Sequence, residues 1–408
     1  MTGEPPGVGP VPLLASGPAR TAAGGAPGTL VTDFGRQVHG RPAVVYRPRT
    51  SSGLVAAVAE AEADGHVVVP RGRGHSVDGQ TVADGAALLD TSALRSVLDV
   101  SPTSITVEAG ATWRDVLATT VPTGRAPAVV PDFLDLTVGG TLAMGGISGI
   151  SHTLGTAADH VRGGTVVGPD GARVELEAGD ERLGRVLTGQ GAHGVLLDVT
   201  LALREVPAVV RRADIVTSRL EDHVDVQCNL LGTAAVHWLE GAAAPGADGR
   251  MTYVTRLAQP DDPHGSGLLM DRTRGRSDFA RFTARADVAV QAEQASGRWQ
   301  LAPHPRLQTI VPLAPGVGVV GDLLAATPPD LLGPGGRVLV HATAAGALAR
   351  LGVRGDATGH ALVVGWQRTA PRGDAGVLRR MQAANRRIAN AVLAVGGVLY
   401  GAGKLPAG

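Results

Sequence analysis

A glycine-rich segment that follows a short apolar run constrains this chain more than any other feature. Residues 70–80 read PRGRGHSVDGQ, and they follow the three valines of residues 67–69. The valines predict a short buried strand closed by Pro70, and the segment after it sets one imidazole, His75, among small residues. Because glycine lets a backbone approach a ligand closely, the amide groups of this loop can cradle a diphosphate while His75 faces the bound molecule.

A second glycine-rich stretch, residues 136–149 (LTVGGTLAMGGISG), can supply the opposite wall of such a site. Two walls are needed because a dinucleotide offers a diphosphate, a sugar-like chain and two ring systems. The chain holds 58 glycines, so either loop alone can be an ordinary turn. The first loop lacks the lysine and hydroxyl of a nucleoside-triphosphate loop, and neither loop has the G-x-G-x-x-G spacing. On spacing alone, dinucleotide binding and a structural turn both stay open.

Charge and composition narrow the class of protein. The 37 basic and 37 acidic residues cancel, so nothing favours a nucleic acid or an anionic membrane surface as a partner. No stretch approaches the roughly 18 consecutive apolar residues of a membrane span, and residues 1–32, rich in Gly, Pro and Ala, lack a signal-peptide pattern. We therefore expect a flexible leader over residues 1–32 and a cytoplasmic protein. The single cysteine, Cys228, excludes an intramolecular disulfide.

Apolar spacing and turn residues predict a chain of mixed helices and strands. A helix over residues 51–63, capped by serines, leads into the strand at 67–69 and makes a small α/β unit. Further strands are predicted at residues 88–90, 105–110, 195–203, 213–217, 234–239, 251–255, 308–312, 337–341 and 360–367, and further helices at 113–119, 275–285 and 377–394. Without regular alternation, the part after Pro207 is expected to be an α+β domain rather than a parallel barrel.

Five blocks in a fixed order resemble the FAD-binding, PCMH-type domain of the vanillyl-alcohol-oxidase superfamily. They are residues 33–35 (DFG), 42–48 (PAVVYRP), 72–80 (GRGHSVDGQ), 131–141 (PDFLDLTVGGT) and 189–195 (GQGAHGV). Within that superfamily the sequence is most similar to cytokinin dehydrogenase and its bacterial relatives. The resemblance is collinear up to about residue 208 and patchier after it.

The resemblance implies an α+β fold with a two-subdomain FAD-binding domain and a mixed α+β substrate domain that contains an antiparallel sheet. The expected divisions are a leader at 1–32, the FAD-binding domain at 33–208, the substrate domain at 209–380 and a C-terminal segment at 381–408 that returns toward the flavin. No metal site is expected, because the Asp132 and Asp135 pair lacks accompanying histidines or a second acidic cluster.

His75 carries the sharpest chemical expectation. In the family the histidine of the Gly-His-Ser motif bonds to the 8α-methyl carbon of FAD, which implies a covalent flavin on His75. Such a bond raises the reduction potential of the flavin and so favours hydride uptake. A histidine that only forms a hydrogen bond within a turn is the structural alternative. The wider cofactor set implied by the resemblance is Gly72, Arg73, Gly74, Ser76, Gln80, Thr137, Gly139, Gly140, Thr141, Ala143, Gly146, Ile147, Val195 and Lys404.

Asp132 is the expected catalytic residue. It stands where cytokinin dehydrogenases carry an aspartate that faces the substrate amine, so the resemblance implies that it takes the amine proton while the adjacent C–H delivers hydride. A solvated aspartate in a turn after Pro131 is the alternative. Asp135, three residues later, is expected to be structural.

The substrate half departs from the family pattern. Residues 302–308 (APHPRLQ) resemble a family segment His-Pro-Trp-Leu-Asn that helps hold the cytokinin, but Arg306 and Gln308 stand where the tryptophan and asparagine occur. A guanidinium suits a carboxylate or phosphate rather than a stacked ring. Only 3% of residues are aromatic, so few rings are expected near the substrate. Further candidate substrate contacts are Asp132, Trp238, Glu240 and Leu405.

These features together predict an FAD-dependent oxidoreductase. It is expected to take hydride from a C–H next to an amine of a small-molecule substrate and to be reoxidised by oxygen or a quinone-like acceptor. Two alternatives stay open: an oxidase of an alcohol, a sugar or a biosynthetic intermediate on the same scaffold, and a flavin-binding protein without turnover. The segment between Pro131 and Gly140 contains no cysteine, which argues against a doubly linked flavin.

Overall fold

The computed structural model describes residues 19–22, 30–231, 233, 236–246, 249–261, 273–355 and 359–401. Within these ranges the strands form three sheets of four, six and eight strands, with helices packed against them. The mixture of helices with largely antiparallel sheets confirms the predicted α+β class. No helix of the described ranges is long and apolar enough to cross a lipid bilayer.

The first sheet has the strand order β1-β2-β4-β3. Its elements are β1 (Ala19–Ala22), β2 (Val44–Arg47), α1 (Ser51–Ala63), β3 (Val68–Arg71) and β4 (Ala87–Asp90). Helix α1 has the predicted bounds, but Thr50 rather than a serine caps it, accepting a hydrogen bond from the Gly53 amide. The strand predicted as buried at 67–69 lies one to two residues later, at the edge of the sheet, which leaves Val67 74% exposed.

The second sheet is antiparallel, in the order β5-β6-β10-β8-β9, with β7 paired to the end of β10. Its elements are β5 (Val97–Val100), β6 (Ser104–Glu108), α2 (Trp113–Thr120), β7 (Arg125–Pro127), α3 (Val138–Leu142), α4 (Ser151–Leu154), β8 (Val161–Val167), β9 (Arg173–Glu177), α5 (Glu181–Val186) and β10 (Val195–Glu205). The predicted strand at 195–203 is confirmed as the central strand β10. Its Val199, Leu201 and Leu203 alternate with less buried residues, because one face packs on the core.

The third sheet has eight antiparallel strands in the order β14-β11-β13-β12-β16-β17-β15-β18. Its elements are β11 (Val209–Thr217), α6 (Leu220–Leu231), β12 (Trp238–Pro245), β13 (Met251–Pro260), β14 (Thr273–Asp278), α7 (Phe279–Thr283), α8 (Asp287–Ala295), α9 (Arg298–Leu301), β15 (Leu307–Pro312), α10 (Leu313–Ala325), β16 (Arg337–Ala344), β17 (His360–Gln367), α11 (Ala375–Ala394) and β18 (Val398–Leu399). Helices α6, α10 and α11 bury their apolar residues against one face. The other face carries polar side chains, among them those of Arg337, His341 and Gln367.

Two sequence predictions in this third group differ from the structure in type or bounds. The predicted helix at 275–285 is a strand up to Asp278, and only residues 279–283 are helical, because the strand pairs with β11 and Asp278 then caps the short helix. The strand predicted at 234–239 begins at Trp238 and runs to Pro245, while residues 234 and 235 lie outside the described ranges. The segment 206–208, which contains the expected boundary at Pro207, connects β10 to β11.

Candidate active site

A cavity of about 440 Å³ lies where the three sheets meet. Its walls come from the loop after β3, from the stretch through α3, and from β15, β17 and the end of the described chain beyond β18. The walls thus bring both glycine-rich stretches of the sequence to the same space. The third sheet adds Arg306, Gln308 and Gln367 from the opposite side.

The two glycine-rich stretches lie in direct contact. A Cβ atom built on Gly72 would lie 2.2 Å from the Thr137 Oγ1 atom, so only glycine allows the two walls to approach this closely. Gly74 has a φ of +69°, a backbone conformation that favours glycine, and it sits against the guanidinium of Arg71. Arg71 is buried and donates a 3.0 Å hydrogen bond to the carbonyl of Thr32, which supports the loop from below.

A buried carboxylate anchors the rest of the first loop. Asp33 Oδ2 accepts hydrogen bonds from the Ser76 hydroxyl at 3.0 Å and from the Gly79 amide at 2.8 Å. Burial raises the pKa of Asp33, although these hydrogen bonds oppose the shift. Burial, together with the nearby Asp33, raises the pKa of Asp78 to about 7. The loop is therefore held by acidic groups that the protein has largely removed from water.

His75 lines the cavity with a neutral imidazole. Its ring centroid lies 4.8 Å from that of Phe133 and 5.4 Å from that of Phe34. Burial, followed by the charges of Arg73 and Arg306, lowers the pKa of His75 to about 4. Neither ring nitrogen has a hydrogen-bond partner within the described ranges. At neutral pH the ring therefore keeps a free lone pair, the form that can act as a nucleophile.

The end of the described chain joins the two loops. Tyr400 lines the cavity together with Gly146 and Ile147 of the second stretch, and burial raises the pKa of Tyr400 to about 12, a shift that the backbone N–H groups of these two residues oppose. The Gln80 side chain, in the first loop, donates a hydrogen bond to the Gly401 carbonyl. The chain after β18 therefore closes one side of the cavity.

Comparison with known proteins identifies the family. The FAD binding domain family matches residues 42–177. An uncharacterized oxidoreductase of the fasciation locus of Rhodococcoides fascians is 31% identical over 323 residues, which cover 76% of this chain and 73% of that protein. The chain belongs to the FAD-binding, cytokinin dehydrogenase-like oxidoreductases.

Plant members of this family are similar over a smaller part of their length. Cytokinin dehydrogenase 10 of Oryza sativa subsp. japonica is 31% identical, over 69% of this chain and 62% of the plant protein. Cytokinin dehydrogenase 1 of Arabidopsis thaliana is 24% identical, over 69% of this chain and 58% of the plant protein. The chain thus matches less than two thirds of the length of each of these plant enzymes.

The protein is an FAD-dependent oxidoreductase that acts on a small molecule.

The cavity of this cytokinin dehydrogenase-like oxidoreductase fits FAD. Backbone amides of two tightly packed glycine-rich stretches suit the diphosphate, and the cavity between them is lined by rings and apolar side chains. Of the residues predicted to hold the cofactor, those that line the cavity are Gly72, Arg73, Gly74, His75, Ser76, Gln80, Thr137, Gly139, Gly140, Thr141, Ala143, Gly146, Ile147 and Val195. Lys404 lies outside the described residues, as does Leu405. The individual roles toward FAD stay predictions.

The predicted substrate residues fall into two places. Arg306 and Gln308 line the cavity, whereas Asp132, Trp238 and Glu240 do not. Asp132 lies between two cavity-lining residues, its side chain is 42% exposed, and its Oδ1 atom accepts a hydrogen bond from Arg285. The other carboxylate oxygen, Oδ2, accepts no hydrogen bond from the described residues.

Trp238 and Glu240 lie near Arg285, the arginine that binds Asp132. The Arg285 guanidinium lies 4.0 Å from the centre of the Trp238 ring, and the Phe282 ring meets the indole edge at 5.5 Å. Trp238 is only 7% exposed, and it lines a smaller cavity together with Phe282 and Arg285 rather than the main one. Burial, followed by the charge of Asp132, raises the pKa of Glu240.

Sequence reasoning missed an aromatic cluster around His75. The Trp299 ring lies 4.7 Å from Phe34, 5.3 Å from Phe133 and 6.0 Å from His75. The low aromatic content predicted few rings near the substrate, and it gave no sign that three of the eleven aromatic residues, Phe34, Phe133 and Trp299, meet around His75. Phe34 was visible in a family block, but no sequence signal marked Trp299 or the cavity-lining Gln367.

Proposed function

We propose that this FAD-dependent oxidoreductase removes hydride from a carbon next to an amine nitrogen, with FAD bonded covalently to His75. The observation that carries the proposal is the neutral His75 imidazole, which faces the cavity between two glycine-rich walls and has no competing hydrogen bond from the described residues. The chemistry supplied by bound FAD is acceptance of a hydride at N5 and transfer of the electrons to oxygen or a quinone-like acceptor.

The walls of the cavity support binding and exclusion of water. The amide groups of Gly72 and Gly74 and those of the stretch beginning at Thr137 would hold the diphosphate, with Arg73 adding a positive charge. The rings of Phe34, Phe133 and Trp299 keep water away from the imidazole. Exclusion of water strengthens electrostatic interactions in the site and limits hydrolysis of reactive products.

Asp132 would take the proton that the amine nitrogen loses as the C–H bond breaks. Arg285 holds one carboxylate oxygen, which orients the group and leaves Oδ2 able to accept that proton. The substrate loses one hydride and one proton and becomes an imine, which water hydrolyses to a carbonyl compound and an amine. Because Asp132 does not line the cavity itself, this role requires the substrate to reach the cavity rim beside Pro131 and Phe133.

Acid precipitation tests the covalent bond. We expect the precipitated wild-type protein to keep its yellow colour and His75→Ala to release it to the supernatant. His39→Ala, which changes an exposed histidine, serves as the control and should behave like wild type. Yellow colour in the wild-type supernatant contradicts the covalent bond but leaves the flavoenzyme intact.

Anaerobic mixing with candidate donors tests the reaction class. We expect secondary amines with an activated C–H next to nitrogen to bleach the visible absorbance of the flavin. Bleaching by alcohols or sugars alone contradicts the amine proposal and favours the other oxidase class. A flavin that no donor bleaches, but that dithionite reduces, indicates binding without turnover.

A further inference from the structure

Arg306 lies in the wall of the cavity and forms no salt bridge with any residue that the structure describes. Its guanidinium carbon lies 5.0 Å from the centre of the Phe34 ring and 5.7 Å from that of Trp299. Its Nε atom is buried and has no hydrogen-bond partner, and no carboxylate within the described ranges forms an ion pair with it. Glu293, the carboxylate whose charge acts on Arg306, binds Arg298 through two 3.0 Å hydrogen bonds.

Strand register sets Arg306 in a row of polar side chains. Leu307 pairs with Trp366 and Arg337 pairs with Gln367, so Arg306 precedes β15 at the level of Gln367 and Arg337. On the same face, Gln308 lies opposite Gly365, where an added Cβ atom would lie 3.2 Å from the Gln367 Nε2 atom, so the Gln367 amide packs over Gly365 and beside Gln308. Arg306, Gln308 and Gln367 all line the cavity, so one cation and two amide groups face the same volume.

Arg306 keeps its positive charge at neutral pH, and the charge of Glu293 offsets it only in part. Burial lowers the pKa of Arg306 to about 10, with the nearby Arg337 as a second cause, which still leaves the guanidinium protonated. Burial lowers the pKa of the adjacent His304 to about 4, so that ring is neutral. An unpaired cation removed from water costs free energy, and an anionic ligand would offset that cost.

We propose that the substrate carries a carboxylate, which Arg306 binds in this cavity with help from the Gln308 and Gln367 amides. The inference rests on the proposed function, since it assumes that the substrate enters this cavity. The amide groups of the two glycine-rich stretches would hold the FAD diphosphate, whereas Arg306 reaches the cavity from the third sheet. One planar guanidinium with two amides suits the planar, singly charged carboxylate better than a doubly charged phosphate.

Binding of a carboxylate that cannot be oxidised tests the proposal without turnover. The holoprotein is titrated with benzoate and with benzamide, its neutral analogue, and binding is followed by the change in the visible flavin spectrum. We expect wild type to bind benzoate at least about tenfold more tightly than benzamide, and Arg306→Gln to weaken benzoate by about 10- to 100-fold. Arg306→Lys should recover part of the loss. Arg182→Gln, which removes an exposed surface charge, is the matched control and should match wild type.

A second variant, Gln367→Leu, tests the proposal even if Arg306→Gln does not fold. Gln367→Leu keeps Arg306 and should weaken benzoate by about three- to tenfold with benzamide unchanged, as one hydrogen bond predicts. Flavin content and melting temperature are measured for each variant. Equal binding of benzoate and benzamide by wild type overturns the proposal, as does equal weakening of both ligands in Arg306→Gln. Tighter binding of phenyl phosphate than of benzoate also overturns it.

A matched substrate pair separates this inference from the proposed reaction. N-Benzylglycine and N-benzylethanolamine share the benzylic C–H next to nitrogen, but only the first carries a carboxylate. We expect N-benzylglycine to have the lower KM, and Arg306→Gln to raise that KM with little change in kcat. Oxidation of both amines with equal KM overturns the carboxylate site while the amine reaction stands. A benzoate preference without oxidation of either amine has the opposite meaning: the anion site stands and the amine reaction fails.

Discussion

Asp33 and Asp78 are buried carboxyl groups beside the loop that carries His75. Burial raises the pKa of Asp78 to about 7, and the nearby Asp33 adds to the shift. A carboxyl group with a raised pKa in the folded state binds a proton there that it loses on unfolding. Its contribution to stability is therefore present below about pH 4 and is lost as the pH rises toward 7.

Replacing Asp78 with asparagine should stabilise the protein at neutral and higher pH. The asparagine can still accept the hydrogen bond from Gln37 but never acquires the buried charge. We expect the free energy of unfolding at pH 8 to increase by roughly 2–4 kcal/mol, with little change at pH 4. Chemical denaturation of variant and wild type across pH 4–8 measures the difference.

His75 also makes the stability depend on pH, in the opposite direction, but its effect is the same in wild type and in Asp78→Asn and therefore cancels in the difference. Burial lowers the pKa of His75 to about 4, so its contribution to stability falls as the pH drops from about 6.5 toward 4. Both proteins carry the same histidine and are compared with the same flavin content. A stability difference that does not depend on pH contradicts the role given to Asp78.

Replacing Asp132 with asparagine should slow reduction of the flavin without loss of the flavin itself. The amide keeps the shape of the carboxylate but cannot take the amine proton, and general-base catalysis is typically worth about 10²- to 10⁴-fold. Stopped-flow mixing with N-benzylglycine under anaerobic conditions gives the rate. Asp170→Asn, which changes an exposed surface turn, is the control. A variant that reduces its flavin at the wild-type rate removes Asp132 from the mechanism.

At the scale of elements, the contact between the two glycine-rich stretches shapes the cofactor site. A methyl group on Gly72 would overlap both Oγ1 and Cγ2 of Thr137, at 2.2 and 2.9 Å. Thr137 caps α3 by accepting the amide hydrogen of Gly140, so it has little freedom to move away. The sequence showed two loops, but only their packing shows that they must touch.

Gly72→Ala should therefore lower the FAD content of the purified protein at least about tenfold. The matched control is Gly184→Ala in α5, where an added Cβ meets nothing within 4 Å. The control should keep its flavin and gain about 0.5–1 kcal/mol of stability, because alanine favours a helix over glycine. Flavin absorbance per protein and a denaturation curve measure both effects. Normal flavin content in Gly72→Ala would show that the two walls can separate.

Elements with a strong local pattern were predictable, and elements that depend on packing were not. Helices α1 and α11 repeat apolar residues at helical spacing and carry caps, so they lie within two residues of their predicted bounds. Helix α10 was missed because a proline and three glycines lower its propensity; it forms because Val320 and Leu324 pack against the third sheet. Strand β14 was taken for helix because its pairing with β11 leaves no periodic signal.

At the scale of the whole molecule, elements from all three sheets build one cavity. Contacts that tie them include the hydrogen bond from Gln80 to the Gly401 carbonyl and that from the His304 amide to the Gly35 carbonyl. Arg114 adds ion pairs to Asp135 and Asp287. A ligand in the cavity therefore contacts parts of the chain that are distant in sequence.

FAD should therefore stabilise the whole molecule rather than one part of it. We expect flavin-free His75→Ala protein to melt at a lower temperature than the wild-type holoprotein, and added FAD to raise its midpoint. Binding to the folded state alone adds about 2.7 kcal/mol at a free FAD concentration of 100 times Kd. Calorimetry at several FAD concentrations measures the shift. A midpoint that does not respond to FAD contradicts the assignment of this cavity to the cofactor.

The sequence by itself determined the two glycine-rich walls, the histidine between them and the family. These features are contiguous and depend on backbone freedom that glycine carries wherever it stands. Only the tertiary structure decided that Phe34, Phe133 and Trp299 gather around His75, and that Trp238 packs beneath Arg285. It alone aligned Arg306 with Gln367. These neighbours lie far apart in the chain. They are brought together by strand register and close packing, and no local sequence pattern encodes either of these.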